Sequence, residues 1–186
     1  MYSDPFVMLV KVICNLYLFI VLLRLVLQLT RADFYNPISQ GIVKATSPLI
    51  LPLRKVIPAI GRLDTASLVL ALAVQLVTVF LIVLIKGVAI SPISYAVYTF
   101  AGTLYHLLDL YFWAMLISVI LSWVAPGANH PGAMLVGQIT APLYRACQRV
   151  IPTLGGLDLS PIFIFLAISF LQMMISPYIY ILGTRI

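Results

Sequence analysis

The chain contains long stretches without a charged residue, and these limit its possible folds more than any other feature. Residues 66–85 and 161–182 are almost entirely apolar and carry no charge. The hydrocarbon core of a bilayer is about 30 Å thick, and a helix rising about 1.5 Å per residue crosses it with roughly 20 residues. Both stretches therefore predict membrane-spanning helices, at about 66–87 and 161–182.

Two further stretches are long and apolar but hold polar residues. One covers about residues 6–29, and the other about residues 101–124. Over the whole chain 63% of residues are hydrophobic and 9% are charged, whereas soluble domains carry about 25% charged residues. Backbone groups inside a bilayer must bond to one another, which only helices and closed barrels achieve. We therefore predict an all-α membrane protein with four transmembrane helices.

The polar segments between these spans repeat each other. The letters VIPAIGRLD, which end at Asp64, return 94 positions later as VIPTLGGLD, which end at Asp158. Over residues 36–64 and their equivalents, 10 of 29 positions are identical, and prolines, glycine and aspartate stay in register. A match at a fixed period indicates duplication, so each repeat is predicted to be a span, an amphipathic connector and a span. The predicted repeats are 1–92 and 93–186, and the predicted connectors are 31–64 and 125–158.

Basic residues are distributed unevenly between the two ends of the spans. A repeat of two spans begins and ends on the same side of the membrane, so the two repeats are parallel and both connectors face one compartment. That side carries eight basic residues, whereas the opposite side carries three. An excess of Lys and Arg marks cytoplasmic segments, which predicts cytoplasmic connectors with both termini outside. The eight are Arg24, Arg31, Lys44, Arg54, Lys55, Arg62, Arg145 and Arg149, and the three are Lys11, Lys86 and Arg185.

The connectors have the composition of helices that lie in the membrane interface. In the first, apolar residues recur at steps of three and four from Ile38 to Val56. Pro48 is predicted to divide this stretch into two short helices, with Ser47 capping the second. Basic amphipathic segments are attracted to anionic headgroups, so the net charge of +6 is not taken to indicate nucleic-acid binding. The predicted contacts to lipid or to a protein partner are Lys44, Arg54, Lys55, Arg145 and Arg149.

Asp64 and Asp158 each stand just before a predicted span. A carboxylate at that position accepts hydrogen bonds from free backbone N–H groups and meets the positive end of the helix dipole. The first interpretation is therefore a pair of helix caps. The alternative is a cation site that the two symmetry-related aspartates form together.

Ionisable side chains near or inside the spans belong to a candidate intramembrane polar site, because an unpaired charge in a bilayer is costly. Arg24 and Gln28 share a helix face. Arg24 either snorkels to the interface, pairs with an acidic residue of the other repeat or lines a polar cavity. His106 and Asp109 are three residues apart, which predicts either a hydrogen-bonded pair or a proton or cation relay.

Gln75 and Gln172 complete the candidate polar site. They lie in the spans that close the two repeats, and their simplest role is hydrogen bonding between helices. No metal site is predicted, because the pair His106 and Asp109 does not supply enough ligands. No other cofactor is predicted.

The two connectors read FYNPISQGIVKATSPLILPLRKVIPAIGRLDTASL and APLYRACQRVIPTLGGLDLSPI. Their Asn-Pro, Pro-Leu-Arg and Ile-Pro…Gly…Asp elements resemble the YggT (YlmG) family of small bacterial membrane proteins over nearly the whole chain. The resemblance implies a multi-pass protein of the bacterial inner membrane without an established enzyme activity. It also implies a link to osmotic tolerance and potassium uptake, and relatives are linked to division, nucleoid placement and assembly of a haem-bearing complex. The second copy has His130 where the first has Asn36, so the repeats differ in detail.

No sequence motif supports catalysis. The chain lacks a nucleophile–base motif, a glycine-rich phosphate loop and a metal-spaced His/Cys cluster. The resemblance leads to our first prediction, a non-enzymatic protein that supports osmotic tolerance and potassium homeostasis, directly or through a transporter. Four spans leave little room for a pore, so direct transport would need a homo-oligomer. The alternative is a membrane scaffold or assembly factor whose connectors bind anionic lipid and a partner protein.

Overall fold

The computed structural model describes residues 5–61, 63–127, 129–150, 158–181 and 184–185. Within them the chain forms six α-helices, followed by a 3₁₀ turn and a small antiparallel hairpin. The helices are α1 (Pro5–Thr30), α2 (Pro37–Val56), α3 (Thr65–Lys86), α4 (Pro92–Val124), α5 (Pro131–Gln148) and α6 (Ser160–Ile175). The 3₁₀ turn is Ser176–Ile179, and the hairpin strands are β1 (Tyr180–Ile181) and β2 (Thr184–Arg185).

Among the described residues, four helical stretches are long and apolar enough to cross a membrane. They are α1, α3, α4 and the stretch Ser160–Ile179, which joins α6 to the 3₁₀ turn. Along the chain, α2 lies between the first two spans and α5 lies between the last two, so the order span, connector, span occurs twice. The predicted all-α fold, with four transmembrane helices in two tandem repeats, is confirmed.

The third span is longer than its apolar sequence predicts. It begins at Pro92 rather than near residue 101. Ser91 caps the helix by accepting a hydrogen bond from the Ser94 N–H at 3.2 Å, and proline in the first turn of a helix needs no N–H partner. The added turns are held by packing, since Tyr98 contacts a buried apolar cluster from α1 and α3.

The fourth span changes its helical type near its end. The α-helix stops at Ile175 and continues as the 3₁₀ turn to Ile179. Pro177 lies in that turn, where its ring prevents regular α-helical bonding. The predicted end of this span, residue 182, lies outside the described residues.

The apolar core follows the contact between α1 and α3. Leu22 of α1 is fully buried there, and small residues such as Ala71 of α3 let the two helices approach closely. α4 packs against both α3 and α6, and its Met115 is buried against Ile168. α4 therefore joins the two repeats.

Each connector helix lies along the ends of its own pair of spans. α2 packs on α1 and α3 and buries Ile42 and Ile50, while Lys44 is exposed on its other face. α5 packs on α4 and α6 and buries Leu135 and Ile139. Both connectors are thus amphipathic helices, as the spacing of their apolar residues predicts.

The prediction that Pro48 divides the first connector is wrong, because α2 continues through it. A proline inside a helix removes one N–H donor and crowds the preceding turn. Side chains reinforce that turn: the Thr46 hydroxyl donates to the Ile42 carbonyl at 2.7 Å, and the Ser47 hydroxyl donates to the Val43 carbonyl at 2.6 Å. Ser47 therefore bonds back along the helix and does not cap a second one. α5 is likewise continuous through its aligned proline.

The two connectors meet at the N-terminal ends of α2 and α5. Asn36 caps α2, with its Oδ1 accepting from the Ile38 N–H at 2.9 Å. Its Nδ2 donates to the Pro131 carbonyl at 2.8 Å, and the Asp33 N–H donates to Oε1 of Gln138 at 2.9 Å. Both connectors therefore lie at the same end of the helix bundle.

Candidate functional site

A buried carboxylate, Asp64, lies where the first connector meets the spans. It directly precedes α3 and is 0% exposed. The prediction that its side chain caps α3 is wrong, because the carboxylate makes no capping hydrogen bond and is bonded to other side chains instead. The guanidinium of Arg54, near the end of α2, donates to both of its oxygens, at 3.3 and 2.6 Å. The Ser67 hydroxyl donates to Oδ2 at 2.6 Å. These bonds fix the end of α2 to the start of α3.

Arg24 enters the same group of bonds from α1. Its Nε lies 3.9 Å from Oδ2 of Asp64, and its Nη1 donates to the Thr46 hydroxyl at 2.6 Å and to the Val43 carbonyl at 3.2 Å. Arg24 is 6% exposed. Its acidic partner belongs to the same repeat, whereas the sequence argument considered a partner in the other repeat. We call Arg24, Arg54 and Asp64 the arginine–aspartate network.

Opposing effects set the charge of Asp64. Burial raises the pKa of its carboxyl group, but hydrogen bonds from Arg54 and Ser67 and the positive charge of Arg54 outweigh burial. The net result holds the pKa of Asp64 below its ordinary value. An ionised carboxylate among these donors is fully satisfied, and removing one partner of such a group is strongly destabilising. The network therefore holds three helices together.

Gln28 of α1 also joins this region. Its Oε1 accepts a hydrogen bond from Nη2 of Arg54 at 3.0 Å. The structure thus brings together side chains that the sequence assigned to separate roles: polar groups at a span end, a lipid contact and a helix cap. Those side chains are Arg24, Gln28, Arg54 and Asp64.

The second repeat contains a neutral version of the same link. Nε2 of Gln148 donates to Oδ2 of Asp158 at 2.9 Å, at the position where Arg54 bonds Asp64 in the first repeat. The Ser160 N–H donates to Oδ1 at 2.9 Å, and these bonds, that of Ser160 foremost, hold the pKa of Asp158 below its ordinary value. Asp158 is exposed. Each aspartate therefore bonds within its own repeat.

A cavity of ≈ 450 Å³, the first cavity, opens between α1 and α2 beside the network. Three arginines line it, and one of them, Arg31, has φ 56°, a left-handed conformation that favours glycine. Ser39, also in the lining, is buried. The polar lining residues are Arg24, Gln28, Arg31, Ser39, Ser47 and Arg54, and the apolar ones include Leu27, Phe34 and Leu51.

The second repeat forms a cavity in the equivalent place. This second cavity of ≈ 190 Å³ lies between α4 and α5. Its lining residues at the positions of Arg24, Gln28 and Arg31 are Ser118, Ser122 and Ala125. The fold therefore makes the cavity twice, and the described lining of the second copy contains no arginine.

The remaining intramembrane candidates lie elsewhere on the spans. Gln75 is 0% exposed and contacts Gly102 of α4, about three helical turns along α3 from Asp64. Its side-chain nitrogen and oxygen have no hydrogen-bond partner among the described residues. His106 and Asp109 are half-buried one turn apart on α4, and Gln172 is half-buried on α6. The contacts given above for the network involve none of these four side chains.

The other predicted connector contacts are on the surface. Lys44, Lys55, Arg145 and Arg149 are all exposed. The Nε of Arg145 donates to the Ala141 carbonyl at 3.3 Å, within its own helix. These four side chains leave their charges available to the surroundings of the bundle.

Sequence reasoning missed four side chains of this region: Arg31 as a cavity residue, Ser39, Thr46 and Ser67. Thr46 is identical in the two repeats, which could have singled it out. Ser39 and Ser67 align with Ala133 and Pro161, so the repeat gives no signal for them. Their roles depend on contacts between helices.

The described residues do not suggest a metal centre. Among them, no three His, Cys, Asp or Glu side chains form a group that could hold a metal ion. The chemistry of the site is instead that of guanidinium, carboxylate and hydroxyl groups, which bind ions and hydrogen-bonding partners.

The fold and the site define the class of this protein. It is an α-helical membrane protein with two span pairs, each carrying an amphipathic connector helix. The model of the CCB3/YggT family matches residues 3–85 and 97–179, one match in each repeat. The chain therefore belongs to the CCB3/YggT family.

Individual relatives agree with this assignment. An uncharacterized protein of Pseudomonas aeruginosa is 48% identical over 163 residues, covering 87% of this chain and 83% of its own length. The uncharacterized protein YggT of Escherichia coli K12 is 37% identical over 181 residues, covering 96% and 93%. An uncharacterized protein encoded in the proC 3′ region of Vibrio alginolyticus is 38% identical over 174 residues, covering 92% and 93%. No solved structure matches the chain significantly.

Proposed function

We propose that this protein is a non-enzymatic scaffold of the bacterial inner membrane. Its two connector helices form one basic platform on the cytoplasmic side, which binds anionic lipid and a protein partner. The observation that carries this proposal is the direct contact between the connectors, through Asn36 with Pro131 and Asp33 with Gln138. Two separate loops would move independently, whereas two joined helices present a single surface.

Rigid attachment of the first connector supports the same function. The arginine–aspartate network ties α2 to both α1 and α3, with Asp64 bonded to Arg54 and paired with Arg24. A binding surface that is already ordered loses less conformational entropy when a partner docks. The network therefore suits α2 for recognition.

The exposed composition of the platform fits lipid and protein contact. Lys44 and Lys55 project from α2, and Arg145 and Arg149 project from the second connector. Phe34 and Tyr35 are exposed just before α2, and aromatic side chains favour the membrane interface. Charges of this sign are attracted to anionic headgroups by about 1 kcal/mol each near the surface.

The test replaces the four exposed charges, Lys44, Lys55, Arg145 and Arg149, together with Gln. A photo-crosslinker placed at Val56, which is exposed at the end of α2, reports bound proteins in living cells, and co-purified lipids are counted by mass spectrometry. We expect the crosslinked partner and the anionic lipid to be lost while membrane insertion is retained. The matched control exchanges Lys for Arg and Arg for Lys at the same positions and should keep both.

An unchanged set of crosslinked proteins in the Gln variant would contradict the scaffold function. A loss that also occurs in the charge-preserving control would show that the side chains act through shape, and would contradict the electrostatic platform.

A second candidate function is support of osmotic tolerance and potassium homeostasis, to which the family resemblance is linked. One observation favours it: Gln75 is a buried amide in a span with no hydrogen-bond partner among the described residues, and such groups in membranes often mark polar paths. Purified protein in liposomes would then pass potassium, and Gln75→Leu or Asp109→Ala would reduce the flux. Liposomes that stay silent over a range of potassium gradients would exclude direct transport.

A further inference from the structure

We propose that the first cavity binds a phosphate group, and that the group belongs to the headgroup of an anionic phospholipid. The ligand lies between α1 and α2 and is held by Arg24, Arg31 and Arg54. This inference rests on the proposed function, in which the connectors bind anionic lipid, because it specifies the lipid group that binds beside the first connector. It concerns a cavity that opens between α1 and α2 and is lined by Arg24, Arg31 and Arg54, whereas the platform consists of other basic residues, Lys44, Lys55, Arg145 and Arg149.

The charge of the cavity is unbalanced. Three guanidinium groups line it, and the neighbouring carboxylate, Asp64, pairs with Arg24 and Arg54. Arg31 adds a third positive charge, so two positive charges stay uncompensated within this group. Guanidinium forks match phosphate oxygens by bidentate hydrogen bonding. An anion with several oxygens is therefore the ligand that suits this lining.

Ser39 supplies an independent sign of a ligand. It is 3% exposed and lines the first cavity. Its hydroxyl has no hydrogen-bond partner among the described residues, although buried polar groups in native proteins nearly always have one. A phosphate oxygen in the cavity would accept this hydrogen bond. Its equivalent in the second repeat is Ala133, which has nothing to donate.

The backbone conformation of Arg31 is consistent with this role. Arg31 occupies the left-handed position that ends α1, with its N–H donating to the Gln28 carbonyl at 3.3 Å and the Ala32 N–H donating to the Leu27 carbonyl at 2.9 Å. Glycine is the usual residue there, since other side chains are strained. This strained position holds an arginine whose side chain lines the cavity.

The apolar part of the lining favours a lipid over free phosphate. Leu27, Phe34 and Leu51 line the cavity together with the arginines, and an inorganic ion needs no such surface. The cavity also lies between the end of a span and an amphipathic helix, where phospholipid headgroups are located. A phosphodiester with attached glycerol and acyl chains would contact both kinds of lining.

The experiment compares the full-length wild type with Arg31→Gly, Ser39→Ala and Lys86→Gln in detergent. Lys86 ends α3, belongs to neither the platform nor the cavity lining, and lies one span length from Asp64 at the start of that helix, so Lys86→Gln removes one positive charge as a matched control. Affinity is measured by titrating phosphatidylglycerol, with phosphatidylcholine and inorganic phosphate as separate arms. Thermal unfolding without added lipid reports the fold of each variant.

We expect Arg31→Gly to weaken phosphatidylglycerol binding about ten-fold, as for one lost charged hydrogen-bonding group. Its unfolding temperature should be equal to or above that of the wild type, because glycine relieves the strain at this position. Ser39→Ala should weaken binding by about three-fold without loss of stability. Lys86→Gln should change the affinity less than about two-fold, because charges separated by more than a Debye length are largely screened.

Equal losses in Arg31→Gly and Lys86→Gln would reduce the effect to the net charge of the protein and overturn the proposal, as would no loss in Arg31→Gly. Equal affinity for phosphatidylcholine would overturn an anionic ligand. If inorganic phosphate binds as tightly as lipid with the same dependence on Arg31, the lipid assignment falls and a free phosphate site replaces it. If the crosslinking test of the scaffold fails but these binding results are obtained, the cavity is a lipid site in a protein that does not act as a scaffold.

Discussion

Two aspartates that are identical in the sequence repeat have different surroundings. Asp64 is buried beneath two arginines and a serine, whereas Asp158 is exposed and bonded to an amide. Local sequence alone does not separate them, because VIPAIGRLD and VIPTLGGLD differ at only three positions. The difference comes from Arg24 and Arg54, whose equivalents in the second repeat are neutral.

This difference predicts unequal effects of the same substitution. Asp64→Asn removes the counter-charge of buried Arg24, and we expect it to lower the free energy of unfolding by about 2–3 kcal/mol, below the full value for a buried pair because Arg54 is partly exposed. Asp158→Asn is the matched control and should change it by less than about 0.5 kcal/mol. Thermal unfolding of both variants in the same nanodiscs measures this, and equal effects would contradict the network.

Acid should weaken the fold through Asp64. Its pKa in the folded protein lies below its ordinary value, so its contribution to stability is fully present above the unfolded pKa, about 3.9. That contribution is lost as the pH falls through the lower folded pKa. The unfolding temperature of the wild type should therefore drop below about pH 4, and Asp64→Asn should flatten the drop more than Asp158→Asn. Wild-type and Asp64→Asn curves of equal slope would contradict it.

Among the elements, α3 and α4 pack tightly against each other at Gly102. A Cβ atom at this glycine would overlap the side chain of Gln75, and both residues are buried. The contact therefore depends on the absence of a side chain, which brings the two repeats together near the middle of the spans.

We expect Gly102→Ala to destabilise the protein, and Gln75→Ala in the same chain to relieve the overlap. The double-mutant cycle should give a coupling of about 1 kcal/mol or more. Gly41→Ala on α2 is the control, because nothing lies within 4 Å of its added Cβ, and it should stabilise by about 0.5–1 kcal/mol. Additive effects of Gly102→Ala and Gln75→Ala would show that the two side chains do not compete for space.

The spans could be predicted from the sequence, and the details of the connectors could not. A charge-free stretch long enough to cross a bilayer has few alternatives, so residues 66–85 predicted α3 closely. The prediction that Pro48 divides the first connector used only the local effect of proline on a helix, and tertiary contacts override that effect. Arg24, from a different helix, donates to the Val43 carbonyl in the turn that precedes the proline, and no pattern within the connector indicates that bond.

The candidate site shows the same limit. Arg54 and Asp64 are ten residues apart and could have been paired from their positions at the ends of neighbouring helices. Arg24 needed the packing of α1 against α2, and the first cavity needed the left-handed turn at Arg31. Periodicity identifies buried faces, but it does not give the rotation of one helix against another.

The whole molecule has its connectors at one end, and this predicts a simple labelling result. Probes at Lys44→Cys and Arg149→Cys, in a chain with Cys14→Ser and Cys147→Ser, should react with an impermeant thiol reagent from the same side. Both original cysteines are free, so their replacement removes the background. Ile93→Cys, exposed at the start of α4, should react from the opposite side. Labelling of the two connectors from opposite sides would contradict the parallel repeats.

The first repeat has Arg54 where the second has Gln148, and this difference bears on how many ligands each chain binds in its cavities. A dimer of two identical two-span subunits would have either two arginine-lined cavities or none, because its subunits share one sequence. When the two repeats are joined in a single polypeptide, with Arg54 in the first and Gln148 at the equivalent position of the second, each molecule has one arginine-lined cavity. The ligand bound in this cavity, measured as the difference between the wild type and Arg31→Gly, should therefore saturate at one equivalent per chain, an odd number that exact two-fold symmetry would forbid.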